Sequence, residues 1–441
     1  MCADGGVSNS VQFTVIIPCR NRATFLAHTL RTCMFQNYDA LEIVVSDDGS
    51  TDSTRDVVED AARRDPRIRP IFHDRPIGMR DNFEEALQAA RPGFVIALGG
   101  DDGLMPGGIT GMRDVLRDTG AELLAWPAPI FSYPGVRGPN GQLAVFRQKG
   151  TKLVDSSVFL ERQARNLHYL SDVESPMFYV KGVAATRLID KVRGRSPDGR
   201  FYACATPDGY SGIVLAGEVE RFAFSGRPFS IHGLSPSSQG LAYLSNDPVA
   251  RKTSEEFYRK AAEVPMHHEL ASLPYSPLIA LMTADYLLRA RDLDGWPGRF
   301  PKIDYKELLL KGIGELSHGL YGSDRVCREL AILDRIADQH GLRTFYRDTV
   351  RLSRRKPTKS QFDGSGISPN ALYFDATAFK ISDVFGAAYT ASAFYELIVS
   401  ARPGSLLGAL RNSVVYRLAS SGRGDPYPDE GAWTSIDPAA I

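Results

Sequence analysis

No sign of charge dominates this chain: Lys+Arg and Asp+Glu both total 52, for a formal net charge of +0. A balanced chain has no bulk field to draw in nucleic acid or an anionic membrane, so any basic surface must be local. Cysteine is scarce. The five residues Cys2, Cys19, Cys33, Cys204 and Cys327 are odd in number and lack close metal-type spacing. That fits a reducing compartment better than a disulfide framework and offers no zinc spacing. Long apolar runs are missing too: Ser276–Leu288 and Phe385–Val399 are short or interrupted by Asp285 and Glu396, so no transmembrane helix is expected. Met1 to Ser10 are small and polar, without the apolar stretch of a signal peptide, and read as a flexible tail over residues 1–12. A cytoplasmic location follows as the expectation. Internal repeats are absent, and Gly99-Gly100 and Gly107-Gly108 form neither a P-loop nor a dinucleotide fingerprint.

What is present is a cadence. Short β-branched runs alternate with amphipathic stretches from Phe13 to Trp126. Strands are predicted at 13–18, 41–46, 68–72, 94–98 and 121–126, with helices over 23–35, 54–63, 80–90 and 108–119 between them. This β-α-β-α order predicts a mostly parallel, doubly wound sheet. The cadence breaks at Pro127–Gly150, where Phe131, Tyr133, Leu143 and Val145 suggest a hairpin. Beyond it, 155–169, 184–192 and 210–216 read as helices, 177–180 as a strand, and 220–224 with 228–231 as strands completing the sheet. With 441 residues, too many for one ordinary core, two domains are expected. The boundaries read from texture are 13–246 for the α/β domain and 247–441 for a mainly helical one, with a linker near 353–370 around Arg354-Arg355-Lys356-Pro357.

Two strands end in acidic turns. Leu41–Ser46 runs into Asp47-Asp48-Gly49-Ser50-Thr51-Asp52, and Phe94–Leu98 runs into Gly99-Gly100-Asp101-Asp102-Gly103. Ligands of open α/β sheets sit at that carboxyl edge. Adjacent carboxylates there suit a divalent cation and a nucleotide diphosphate. A short acidic side chain at a strand end is also rigid enough to read a ring N–H, although such a turn equally caps the helix after it.

Together with Phe13-Thr14-Val15-Ile16-Ile17-Pro18-Cys19-Arg20-Asn21-Arg22, these turns and Leu98–Pro106 resemble family 2 glycosyltransferases of the GT-A fold, over about residues 13–240. The resemblance implies a Rossmann-like nucleotide-diphospho-sugar transferase domain and an inverting sugar transfer from a nucleotide-diphosphate sugar, UDP-linked or similar, to a glycan or lipid-linked acceptor. It also implies donor contacts from Pro18, Arg20, Asn21 and Arg22, and a base contact from Asp47 or Asp48. Mn²⁺ or Mg²⁺ would sit on Asp101, with Asp102 binding directly or through water. The family's usual first acidic position falls at Gly99, which carries no ligand. The catalytic base aligns with Asp208 in Thr206-Pro207-Asp208-Gly209-Tyr210-Ser211, at a helix N-terminus that favours the ionised form. Asp172 and Glu174 are its rivals.

Phe229–Gly240 is dense in hydroxyl residues, and the family often closes such a segment over the diphosphate. His232 is then a third metal-ligand candidate, and Ser235, Ser237 and Ser238 are donor contacts. Arg80 stands where a helix begins near the sheet edge, a place for a phosphate contact or for a solvated side chain. In the C-terminal half, Leu406, Leu407, Leu410, Val414 and Leu418 fall at helical spacing beside Arg402, Arg411 and Arg417. Such a helix lies on a membrane surface or packs on its own domain or a partner. Tyr389, Phe394 and Tyr395 either line an acceptor cleft or belong to the core. Two other readings stand beside the transferase: a degenerate GT-A fold kept as a binding or scaffolding module, favoured by Gly99, and a nucleotidyltransferase. The second wants a Gly-rich basic loop where Pro18–Arg22 stands.

Overall fold

Alternate residues of the first strand face opposite sides of one sheet. In β1 (Phe13–Cys19), Phe13, Val15 and Ile17 join one buried cluster and Ile16 the other, as the period of two in a strand requires. All seven residues of β1 are buried, and so are all seven of β2 (Leu41–Asp47). That is the mark of a central strand covered by helices on both faces. In this computed structural model, residues 11–136, 139–238, 243, 248–317, 321–353, 365–367 and 371–400 are described.

The remaining elements follow in chain order. The first half contains α1 (Ala23–Met34), α2 (Thr54–Arg64), β3 (Ile68–Phe72), α3 (Met79–Gln88), β4 (Phe94–Ala97), β5 (Gly103–Leu104), α4 (Gly108–Thr119) and β6 (Leu123–Ala125). The hairpin β7 (Ile130–Ser132) and β8 (Gln142–Phe146) comes next. It is followed by β9 (Thr151–Asp155), α5 (Ser156–Asn166), β10 (Gly182–Ala185), α6 (Thr186–Arg195), α7 (Asp208–Gly217), β11 (Arg221–Ser225) and β12 (Ser230–Leu234). Helices α8 (Pro248–Ala261), α9 (Ile279–Arg291), α10 (Tyr305–Leu316), α11 (Ser323–Gln339) and α12 (Arg343–Leu352) precede β13 (Gly366–Ile367), β14 (Ala371–Asp375) and α13 (Val384–Ser400).

An eight-stranded sheet has the order β3-β2-β1-β4-β10-β6-β11-β9. Its first four strands are parallel and β11 is parallel to β6, while β10 runs antiparallel to both β4 and β6 and β9 to β11, so the sheet is mixed with parallel pairings in the majority. The strand expected at 177–180 lies at Gly182–Ala185 instead. Val180 takes a left-handed φ of 61°, which turns the chain out of extended geometry, and Tyr179 keeps only a bridge to Ala97. The expected hairpin forms. It belongs to a second sheet, β13-β14-β8-β7-β12-β5, which also takes the strand expected at 228–231.

The helices after residue 247 are not remote from the first half. Leu281, Leu287 and Leu308 share a buried cluster with Phe201, Ile213 and Leu215. Residues up to Tyr395 form one compact unit and 396–441 a second. The basic run at 354–356, Gln239-Gly240 and the amphipathic stretch 405–419 lie outside the described residues. No helix among the described residues is long and apolar enough to cross a membrane.

Candidate active site

The loops that follow β1 and β2 hold each other. Asn21, at φ 52°, accepts the Thr51 amide on Oδ1 at 2.8 Å and donates its own amide to Ser50 Oγ at 2.8 Å. The Arg22 amide reaches Thr54 Oγ1 at 2.9 Å, and Asp52 accepts the Ala23 amide at 3.2 Å. Gly49 makes the turn possible. Its φ is +61°, and a Cβ there would stand 2.8 Å from the Arg75 backbone. Asp47 accepts the Ser50 hydroxyl, and burial pushes its carboxyl above the usual range. Asp48 accepts the Ile77 amide at 2.6 Å and the Gly78 amide at 3.1 Å, fixing the β3–α3 loop. Beside that loop lies a cavity of about 190 Å³ whose lining includes Arg80, Ala205, Phe257 and Lys260. Arg80 itself pairs with Asp81 at 3.0 Å.

The second acidic turn is built differently for its two carboxylates. Asp102 is fully buried. Its Oδ2 accepts the Gly99 amide at 2.6 Å, and its Oδ1 accepts the Gly233 amide at 2.8 Å and meets His232 Nδ1 at 2.9 Å. With the proton on Nδ1, this bond fixes the imidazole and leaves Nε2 as the free lone pair. Asp101 accepts the Ser235 hydroxyl at 2.6 Å and the Ser238 hydroxyl at 3.3 Å, both on Oδ2. Its carboxyl is raised by burial and by Asp102, against the pull of Arg22, Ser235 and His232. Arg22 donates to the Ser237 carbonyl at 2.7 Å, and Arg20 pairs with Glu256 of α8 at 3.2 Å. Pro18 lies within β1, opposite Ser46.

The sequence left Gly99 as a gap in the motif. Here a Cβ on Gly99 would stand 2.8 Å from both Asp102 Oδ2 and the Tyr179 hydroxyl. Tyr179 fills that space and hydrogen-bonds Asp102. A regular strand at 177–180 gives no signal for this contact, which depends on the left-handed Val180 and the single bridge from Tyr179 to Ala97.

Asp208 opens α7, and its charge acts on His232 and Tyr179. Burial raises its carboxyl, and the Gly209 amide, the Tyr169 hydroxyl and the Tyr286 hydroxyl only partly offset this. The helix N-terminus expected to keep it ionised is therefore outweighed by desolvation. Asp172 and Glu174 are occupied elsewhere. Arg162 binds both, and burial of Glu174 is outweighed by Lys152 and Arg162, which hold its carboxyl low.

The residues fit a divalent ion as a partial site. Among the described residues, the set of three His, Cys, Asp or Glu side chains with ligand atoms within 4.8 Å of one another is His267, His268 and Glu269. Asp101, Asp102 and His232 thus form no closed cage. One carboxylate oxygen and one imidazole nitrogen, completed by phosphate oxygens and water, is an arrangement that suits Mg²⁺ or Mn²⁺.

The sheet gathers its two acidic turns at the carboxyl edge of its parallel strands, the edge where open α/β sheets bind ligands. Residues 14–164 match the model of Glycosyl transferase family 2. The chain is 33% identical over 100 residues to the GalNAc(5)-diNAcBac-PP-undecaprenol beta-1,3-glucosyltransferase of Campylobacter jejuni, covering 22% of this chain and 32% of the relative. It is 44% identical over 72 residues to validoxylamine A glucosyltransferase of Streptomyces hygroscopicus, covering 16% and 17%. The chain thus spans a third or less of the length of these relatives. Among solved structures, S. aureus TarS 1-349 in complex with UDP-GlcNAc aligns with a TM-score of 0.43 at 16% identity, covering 81% of this chain and 95% of that one.

Proposed function

We propose that the protein is an inverting glycosyltransferase that moves a sugar from a nucleotide-diphosphate sugar to an acceptor hydroxyl. The observation that carries this reading is the junction of the second acidic turn with the loop after β12, where Asp102 meets His232 Nδ1 at 2.9 Å and Asp101 accepts the Ser235 hydroxyl at 2.6 Å, with Asp208 near enough for its charge to act on His232. Asp101 and the Nε2 of His232 would hold Mn²⁺ or Mg²⁺, which when bound neutralises charge on the leaving diphosphate. Asp102 holds the imidazole in place. Asn21, Arg22 and Asp47 or Asp48 frame the nucleoside, while Arg20, Arg80, Ser235, Ser237 and Ser238 border the diphosphate. Asp208 takes the proton of the acceptor hydroxyl as its oxygen attacks the anomeric carbon from the face opposite the diphosphate, so one displacement inverts that carbon. The acceptor is a glycan or a lipid-linked glycan.

The deciding experiment is thermal stability against UDP, GDP, UDP-glucose, UDP-GlcNAc and GDP-mannose, with and without Mn²⁺. A ligand at ~100 times its dissociation constant adds about 2.7 kcal/mol. A Mn²⁺-dependent shift with one nucleotide, lost in Asp101→Ala, supports the donor site. No shift with any nucleotide in folded protein removes the transferase reading in favour of a binding module.

A further inference from the structure

Two buried tyrosines from outside the matched family stretch close on Asp208. Tyr169, just after α5, donates its hydroxyl to Asp208 Oδ2 at 3.1 Å, and Tyr286 of α9 donates to Oδ1 at 3.4 Å. The rings meet edge to face with centroids 5.4 Å apart and are 2% and 1% exposed. Thr206 Oγ1 lies 2.6 Å from the Tyr286 hydroxyl. Thr206 also bonds Tyr275, and Tyr286 also bonds Tyr169, so these hydroxyls form one network beside Asp208. The floor under both rings is Gly209. A Cβ there would lie 2.5 Å from Tyr169 Cδ2 and 2.5 Å from Tyr286 Cε2. The residue after the carboxylate is thus small enough to admit both rings.

We infer that Tyr169 and Tyr286 are positioning residues for Asp208: one phenol on each carboxylate oxygen fixes the plane of the group and leaves its remaining lone pairs for the acceptor hydroxyl. The inference rests on the reading of Asp208 as the base. It also gives the helices after residue 247 a part in the site, since α9 packs on α7 and carries Tyr286. Two neutral O–H donors hold the orientation of this carboxylate at small cost, whereas a lysine or arginine there would quench its basicity. Other titratable groups facing Asp208 are His232, Tyr179, Tyr202, Cys204 and Tyr275. All five stay in place in the variants below.

The test compares Tyr169→Phe, Tyr286→Phe and Asp208→Asn in the full chain. Each Phe variant removes one hydroxyl and keeps the ring on Gly209. The first readout is nucleoside diphosphate release from UDP-glucose, UDP-GlcNAc or GDP-mannose with Mn²⁺. The second needs no turnover: ¹³C NMR titration of aspartate carboxyls, with Asp208 assigned by its loss in Asp208→Asn. Each Phe variant should lose about tenfold in kcat with an unchanged donor KM. The Asp208 titration should move up by roughly one pH unit, since a donor to the charged form is gone. A fall in kcat with an unmoved titration would mean a merely structural role, and unchanged kcat with an unmoved titration would mean none; both overturn the proposal. Full activity in Asp208→Asn sinks the base reading instead, whatever the tyrosines do.

Discussion

Glycine at position 99 leaves room that Tyr179 uses. Motif resemblance alone suggests that restoring an acidic residue there would improve metal binding. The geometry says the opposite: a side chain must displace the Tyr179 hydroxyl or Asp102, each 2.8 Å from the new Cβ. Gly99→Asp is therefore expected to cost ~1–3 kcal/mol through overpacking, and to weaken the Mn²⁺-dependent nucleotide shift. Melting temperature with and without nucleotide checks both. Asp208 yields a second prediction. Its carboxyl lies above the ordinary carboxylate range because it is buried. A base works only when ionised, so transfer is full above that raised value and falls as pH drops through it. A pH–rate profile should show this acid limb above the free-carboxylate value of about 3.9, and at saturating pH Asp208→Asn should lose ~10²–10⁴-fold in kcat while nucleotide binding persists.

At the scale of elements, the strands and helices up to Trp126, apart from the two-residue β5, were legible because each carries its own period and its own turn chemistry. The acidic turns at Asp47 and Asp101 were legible for the same reason: a buried strand must end somewhere, and carboxylates mark the place. What stayed hidden depended on distant packing. The direction of β10, the left-handed Val180 and the joining of β14 to β8 all rest on contacts that no local window contains. The same is true of Tyr286, a position in a helix with nothing in its neighbourhood to single it out. Trp296 shows how such contacts hold the site. Its indole donates to the Val214 carbonyl at 3.0 Å and lies against Gly217, where a Cβ would stand 2.1 Å from Cζ2. Trp296→Ala should lose ~3–5 kcal/mol in denaturant titration. Glu315 of α10 caps α9 by accepting the Ile279 and Ala280 amides at 2.8 and 2.9 Å, and burial raises its carboxyl to about 7. Folded protein then keeps this proton over a range where the unfolded chain has lost it, so stability falls as pH rises from about 4.5 to about 7, by about 3 kcal/mol. Glu315→Gln should flatten that segment of the stability curve.

For the whole molecule, a buried cluster runs from Ile16 to Tyr346 and takes side chains from both sides of residue 246. A fragment of residues 13–246 would lose Leu281, Tyr286 and Leu287 of α9 from the cluster that holds Phe201, Leu215 and Tyr169. It is expected to bind a hydrophobic dye and to show no cooperative melting transition; a sharp transition in that fragment would show that the first half folds alone. The second sheet carries a different consequence. Phe146 at the end of β8 pairs with Ala371 of β14, and roughly 225 residues separate the two partners along the chain. At a ribosomal rate of about 5–20 residues per second, the partner of β8 emerges on the order of ten to fifty seconds after it. During that interval the nascent hairpin offers an open strand edge to any neighbouring chain. Yield in cells is therefore expected to change with translation speed and chaperone supply.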